Sequence, residues 1–148
     1  MSDEHTMPIT IFLVDDHAMF RKGLHLLIAE EPDMSVVGEA GDGRAAIEKV
    51  RELSPDVVVM DITMPNLNGI DATRQILSDS PHAKVVALSI HAGKRFVKDM
   101  LAAGATGYIV KDSIPEELIT CIRRVMHNEV YLSSEITGVV VSGFLEDQ

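Results

Sequence analysis

Asp15 and Asp16, the lone Asp61, Ser89 and Lys111 each follow a short apolar run in this 148-residue sequence. A single aspartate in such a place is accounted for as a helix cap. The set is not, because two ionised carboxylates about 4 Å apart repel by roughly 4 kcal/mol at an effective dielectric near 20. A crevice that collects three carboxylates therefore calls for positive charge. Oxygen donors in an open site suit a hard divalent cation such as magnesium, which keeps waters and accepts a phosphate oxygen. A carboxylate beside such a cation can act as nucleophile toward a phosphoryl group, forming an aspartyl phosphate. By position Asp61 is the nucleophile and Asp15 and Asp16 hold the cation. Lys111 and Ser89 then contact the phosphoryl oxygens.

The elements that position these residues are legible in the periodicity. Runs rich in Val and Ile at Ile9 to Val14, Met34 to Ala40, Asp56 to Met60, Lys84 to Leu88 and Thr106 to Val110 are mostly continuous, as in strands covered on both faces. Between them fall helical patterns: Met19, Phe20, Gly23, Leu24, Leu27 and Ile28; Ala46, Ile47, Val50 and Leu53; Ile70, Thr73, Ile76 and Leu77; Phe96, Val97, Met100 and Leu101; and Leu118, Ile119, Ile122, Val125 and Met126. Ser113 with Glu116 reads as a capping box, and Pro115 sits in the first turn of that last helix. Gly69, with Asn66 and Asn68, marks a turn after Pro65. Five strand-helix units imply a three-layer α/β sandwich, doubly wound, with five parallel strands in order 2-1-3-4-5 and five helices. Strands one and three are then neighbours, and their carboxyl ends form the crevice where ligands bind such sheets.

Composition narrows the functions. Lys plus Arg number 13 against 23 Asp plus Glu, a formal charge of -10, so this chain offers no broad basic face for nucleic acid. Hydrophobic residues make up 46% and charged ones 24%, which excludes disordered and fibrous classes. The single Cys121 forms no internal disulfide and reads as an unreactive thiol on the last helix, in keeping with a reducing, cytoplasmic setting. No apolar stretch nears the roughly 18 residues that span a bilayer, and Met1 to Thr6 lacks the features of a signal peptide. The six histidines lack paired helical spacing, so zinc is not expected, and Met19, Met100 and Met126 read as core filling.

The stretches Val14-Asp15-Asp16-His17, Met60-Asp61-Ile62-Thr63-Met64-Pro65, Ala87-Leu88-Ser89 and Tyr108-Ile109-Val110-Lys111-Asp112 carry a resemblance. In order and spacing they are similar to the motifs of response-regulator receiver domains of two-component signalling, the flavodoxin-like receiver fold, over residues 7 to 127. The finer match is to the NarL/FixJ type with LuxR-type output, in Asp-Asp-His, Leu-Ser-Ile-His, Lys-Asp-Ser and Tyr131-Leu132-Ser133. The resemblance implies that Asp61 accepts phosphate from a histidine kinase. It also implies that Asp16 and Asp61 ligate magnesium, Asp15 does so through water, and the Thr63 carbonyl completes the site. Ser89 and Tyr108 are implied as a switch pair: Ser89 moves toward the new phosphoryl group and Tyr108 swings inward. That would alter a face of helix four, strand five and helix five, where Lys94, Arg95, Lys98 and Asp99 offer charged contacts, and self-association on phosphorylation is expected there.

Residues 1–127 are thus read as the receiver and 128–148 as a linker or one extra helix, too short for the DNA-binding domain with which such proteins usually continue. The chain reads as a fragment of a transcription factor or, alternatively, as a stand-alone receiver; DNA is a partner only through a missing domain, and no membrane is. Three departures stand out: Asp112 follows Lys111 where many receivers have a proline, so no cis bond is assumed there; Ala92 replaces a frequent acid; and Thr63 and His91 occupy positions that tune phosphate lifetime. Two rivals fare worse. A haloacid-dehalogenase-like phosphatase needs a second aspartate where Thr63 stands, and a flavodoxin-type phosphate cradle would be repelled by Asp15 and Asp16.

Overall fold

The computed structural model describes residues 7–62, 69–90 and 93–146. Six strands, β1 (Ile9–Val14), β2 (Met34–Ala40), β3 (Val57–Asp61), β4 (Lys84–Ser89), β5 (Gly107–Val110) and β6 (Tyr131–Leu132), form one parallel sheet in the order β2-β1-β3-β4-β5-β6. The helices are α1 (Ala18–Ala29), α2 (Gly43–Leu53), α3 (Gly69–Asp79), α4 (Lys94–Ala102), α5 (Ile114–Met126) and α6 (Ser134–Glu146). The expected order of the first five strands is therefore observed, with bounds differing by a residue in β3, β4 and β5.

Alternate strand residues feed two apolar clusters, which makes three layers. Ile11, Leu13, Val57 and Val59 pack with Leu24 and Ile28 of α1 and Leu118, Ile122 and Val125 of α5. Phe12, Val14, Val58 and Met60 pack with Ala46 and Val50 of α2, Ala72 and Ile76 of α3, Val97 and Met100 of α4, and Ile136 of α6. Continuous Val and Ile runs follow from this, since both faces of the sheet are covered.

Several sequence expectations need correction. Met19 is 83% exposed and Gly23 is exposed, because α1 buries Leu24 and Ile28 and partly covers Phe20 and Leu27, and Met19 and Gly23 lie one position off the stripe of Phe20, Leu24 and Ile28. Leu53 and Phe96 are likewise exposed. Ser113 makes no capping bond: Lys111–Ser113 is a 3-10 turn running straight into α5, and Ser113 has φ -97 and ψ 2 rather than an extended N-cap conformation. Pro115 does lie in the first turn. The cap that does form is at α2, where Asp42 Oδ1 accepts from the Ala45 N–H at 2.9 Å. Beyond α5 the chain forms β6, which extends the sheet by one edge strand, and then the extra helix α6.

Candidate functional site

The carboxyl ends of β1, β3, β4 and β5 bring Asp15, Asp61, Ser89 and Lys111 to one rim. Asp15 follows β1 and its N–H donates to the Ala40 carbonyl at 3.1 Å, which ties the acidic loop to the end of β2. Its side chain is fully buried, and Oδ1 accepts the His17 N–H at 2.8 Å. Arg21 locks the same loop from α1: its guanidinium donates to the Asp15 carbonyl, and its Nε donates to Glu39 of β2 at 2.9 Å. The local turn bond thus belongs to Asp15. Asp16 caps nothing, and α1 begins after His17 with no side-chain cap.

Asp61 ends β3 and is 2% exposed. The Lys111 ammonium lies 3.7 Å from Asp61 Oδ2 and 3.5 Å from Asp15 Oδ2, with its side chain only 18% exposed and Nζ 4.6 Å from the Phe20 ring centre. Strand register fixes this meeting, since Asp61 pairs with Leu88 and Ser89 with Val110, the residue before Lys111. Ser89 is 3% exposed.

Asp16 is half-exposed at the rim, where the His17 ring approaches both acids, Nδ1 being 3.0 Å from Asp16 Oδ1 and 3.5 Å from Asp15 Oδ1. Potential ligand atoms of Asp15, Asp16 and His17 lie within 4.8 Å of one another. His17 is absent from the site residues expected from the sequence, and its adjacency to the acid pair is the signal for it. Asp15 and Asp61 share one ammonium, and Asp16 stands beside Asp15 at the rim, an oxygen-rich donor set that suits a divalent cation. Asp15 Oδ2 is buried without a hydrogen-bond donor among the described residues, which also fits a cation or its bound water. Thr63, His91 and Ala92 lie outside the described residues.

Gly69 has a structural role, while Pro65, Asn66 and Asn68 of the expected turn lie outside the described residues. It opens α3, and its N–H donates to the Ile62 carbonyl at 3.1 Å. A Cβ there would fall onto the Asp61 carbonyl oxygen and the Ile62 Cα, so only glycine lets α3 start this close to the strand end.

Tyr108 is fully buried, and so is its hydroxyl, which rules out a strand aromatic with its hydroxyl at the surface. The ring already occupies the inward position, so no inward swing remains to be made from this structure. Burial pushes the hydroxyl above its ordinary pKa, with the nearby Ser89 side chain opposing the shift, although among the described residues no hydrogen bond of normal geometry reaches the Tyr108 oxygen. All described peptide bonds are trans, Lys111 to Asp112 included. No helix among the described residues is long and apolar enough to cross a membrane.

Comparison with known proteins agrees with this geometry. The family model described as the response regulator receiver domain matches residues 11–123. The transcriptional regulatory protein DegU of Brevibacillus brevis is 39% identical over 136 residues, covering 92% of this chain and 58% of that protein. The nitrate/nitrite response regulator protein NarL of Escherichia coli is 36% identical over 135 residues, covering 91% of this chain and 62% of its own length. The chain thus spans about 60% of these relatives. A crystal structure of a LuxR-family two-component response regulator from Aurantimonas sp. superposes with a TM-score of 0.89 at 36% identity, covering 93% of this chain and 99% of that one. The chain belongs to the response regulator receiver domain family, with relatives of the NarL/LuxR type.

Proposed function

We propose that the chain is the phosphoacceptor of a two-component phosphorelay. An Asp61 carboxylate oxygen attacks the phosphorus of a phosphohistidine on a histidine kinase, the aspartyl O–P bond forms, and the P–N bond breaks with its electron pair returning to the imidazole. The observation that carries this reading is Asp61 itself, almost fully buried at a strand end with the Lys111 ammonium 3.7 Å away. Asp15, Asp16 and Asp61, with the Thr63 carbonyl, would hold magnesium, which when bound neutralises phosphoryl charge. Lys111 and the Ser89 hydroxyl hold the phosphoryl oxygens, and burial of Asp61 keeps bulk water from the acyl phosphate until hydrolysis returns the free carboxylate.

The added group carries about -1.5 to -2 charge. It draws Ser89 toward it and favours the inward Tyr108, which sets the face of α4, β5 and α5 where Arg95, Lys98 and Asp99 are available to partners or to a second copy. Within a longer cytoplasmic protein with a DNA-binding domain, this face controls transcription, as the names of the relatives suggest; the alternative is a stand-alone receiver acting through protein contacts.

Intact-mass spectrometry after incubation with a small phosphodonor and magnesium tests the reading. One phosphoryl group is expected, absent in Asp61→Asn and in the presence of a chelator. No addition to a folded wild-type chain, from small donor or from kinase, removes the proposal.

A further inference from the structure

We propose that β6 and α6 form a clamp on Tyr108, so that docking of α6 on α4 and β5 and phosphorylation of Asp61 favour one another. The inference rests on the phosphoacceptor reading and names a regulation of that site by residues beyond α5.

The connection runs through backbone and core together. Strand β6 pairs with β5 so that Leu132 lies opposite Tyr108, and the Ser133 N–H donates to the Tyr108 carbonyl at 3.0 Å. The Ser133 carbonyl then accepts the Thr137 N–H at 2.9 Å, in the first turn of α6. One hydrogen-bonded path therefore links the Tyr108 backbone to the start of α6. Tyr108 and Ile136, neither with any exposure, belong to one apolar cluster with Val97 and Met100 of α4, and Leu132, Val139 and Val140 pack against it. Interiors are close-packed, so the Tyr108 ring cannot leave this cluster without a void or a repacked α6.

The same region is poised to release. Among the described residues no hydrogen bond of normal geometry reaches the buried Tyr108 hydroxyl or Ser133 Oγ, and each unmade bond weakens the docked state. The tether at residues 127–130 is exposed throughout, with Asn128 at φ 62, and it is held by surface contacts, Lys84 Nζ to Asn128 at 2.6 Å and Arg124 to Glu129 at 3.3 Å, while beyond it the Tyr131 hydroxyl donates to Glu117 of α5 at 2.5 Å. A helix of 13 residues is marginal alone in water, so α6 unwinds when it undocks and its amides report the event. Coupling between two sites is reciprocal, so a docked α6 that holds Tyr108 inward also favours the phosphorylated state.

Hydrogen exchange of the full chain, read by mass spectrometry, tests the clamp. Tyr108→Ala is expected to speed exchange in α6 at least tenfold while β1 and β3 amides, which report global opening, hardly change. Tyr108→Phe keeps the ring and removes only the unpaired hydroxyl, so α6 should exchange no faster than in the wild type. Phosphorylation should slow α6 exchange in the wild type and not in Tyr108→Ala. Ile136→Asp, which undocks α6 from the other side, should lower the phosphorylated fraction several-fold at a fixed donor concentration. A folded Tyr108→Ala with wild-type α6 exchange overturns the clamp, as does Ile136→Asp phosphorylated as fully as the wild type; should Tyr108→Ala not fold, Tyr108→Leu serves in its place. Absence of any phosphoryl gain in the wild type would instead remove the phosphorelay reading, and the Tyr108→Ala arm, which needs no phosphate, would still decide whether Tyr108 and α6 are coupled.

Discussion

The Lys111 ammonium lies 3.5 Å from Asp15 Oδ2, a buried carboxylate oxygen that receives no hydrogen bond among the described residues. The same ammonium is 3.7 Å from Asp61, so one cation spans two acids that would otherwise repel within a poorly solvated rim. Removing one partner of a buried charge group costs more than the pair contributes, because the remaining charge is left uncompensated.

Lys111→Met is therefore expected to lower unfolding free energy by about 3 kcal/mol in the absence of divalent cations. Magnesium should restore part of this loss, and more of it than the same ion adds to the wild type, since the variant has one more uncompensated negative charge. Urea denaturation with magnesium or with chelator measures both terms. Equal effects of magnesium on the two proteins would show that Lys111 does not share the charge field of Asp15 and Asp61.

Gly69→Ala places a methyl group against the Asp61 carbonyl and the Ile62 Cα, both backbone atoms that cannot rotate away. Overpacking of this kind costs typically 1–3 kcal/mol, and here about 3 is expected. Because one of the displaced atoms is the carbonyl oxygen of Asp61, the proposed phosphoacceptor, the rate of phosphorylation should fall at least tenfold under conditions where the variant remains folded. Gly23→Ala, at an exposed helical position where a Cβ meets nothing within 4 Å, is the control and should change neither quantity adversely. Phosphorylation of folded Gly69→Ala at the wild-type rate would dissociate the close approach from the chemistry.

Why these positions differ in legibility is a matter of range. Asp15, Asp61, Ser89 and Lys111 stand where continuous Val and Ile runs stop, and since parallel strands must end on one rim, local pattern alone brings them together. Gly69 looks like turn chemistry beside Asn66 and Asn68 because its real constraint, a strand end pressed against a helix start, is tertiary. Tyr131–Leu132 is too short to show a period, and becomes a strand only because β5 offers an unpaired edge. Ser113 and Glu116 satisfy the capping-box pattern, yet the 3-10 turn after Lys111 takes Ser113 out of the capping conformation. Met19 fails by one residue of phase, which periodicity over 12 residues of helix cannot resolve.

Tyr108→Phe removes a buried hydroxyl that no hydrogen bond of normal geometry reaches among the described residues. Such a group gives up its hydration on folding and gains no partner, so its deletion should be neutral or stabilising by up to about 1 kcal/mol. Thermal unfolding of the unphosphorylated chain measures this. A clear loss of stability would mean that the Ser89 hydroxyl, close enough to oppose the upward pKa shift of Tyr108, holds the phenol in a bond of greater strength than the geometry indicates.

Cys121 provides the pH dependence. It is fully buried on α5, and burial, followed by the negative charge of Glu117, pushes its thiol from 9.0 up to about 12. In the unfolded chain the thiol ionises near its ordinary value, so the folded state favours the protonated form. That contribution is complete below pH 9 and is lost progressively as pH rises toward 12, where the folded thiol also ionises. Ellman's reagent at pH 8 should accordingly label Cys121 only at the rate of unfolding, and urea should accelerate labelling in step with the loss of structure. Between pH 9 and 11 the unfolding midpoint should fall more steeply for the wild type than for Cys121→Ala, because the variant lacks the ionising group. Labelling within seconds under native conditions, or parallel slopes for the two proteins, would show that the thiol is reached by solvent through a local opening of α5.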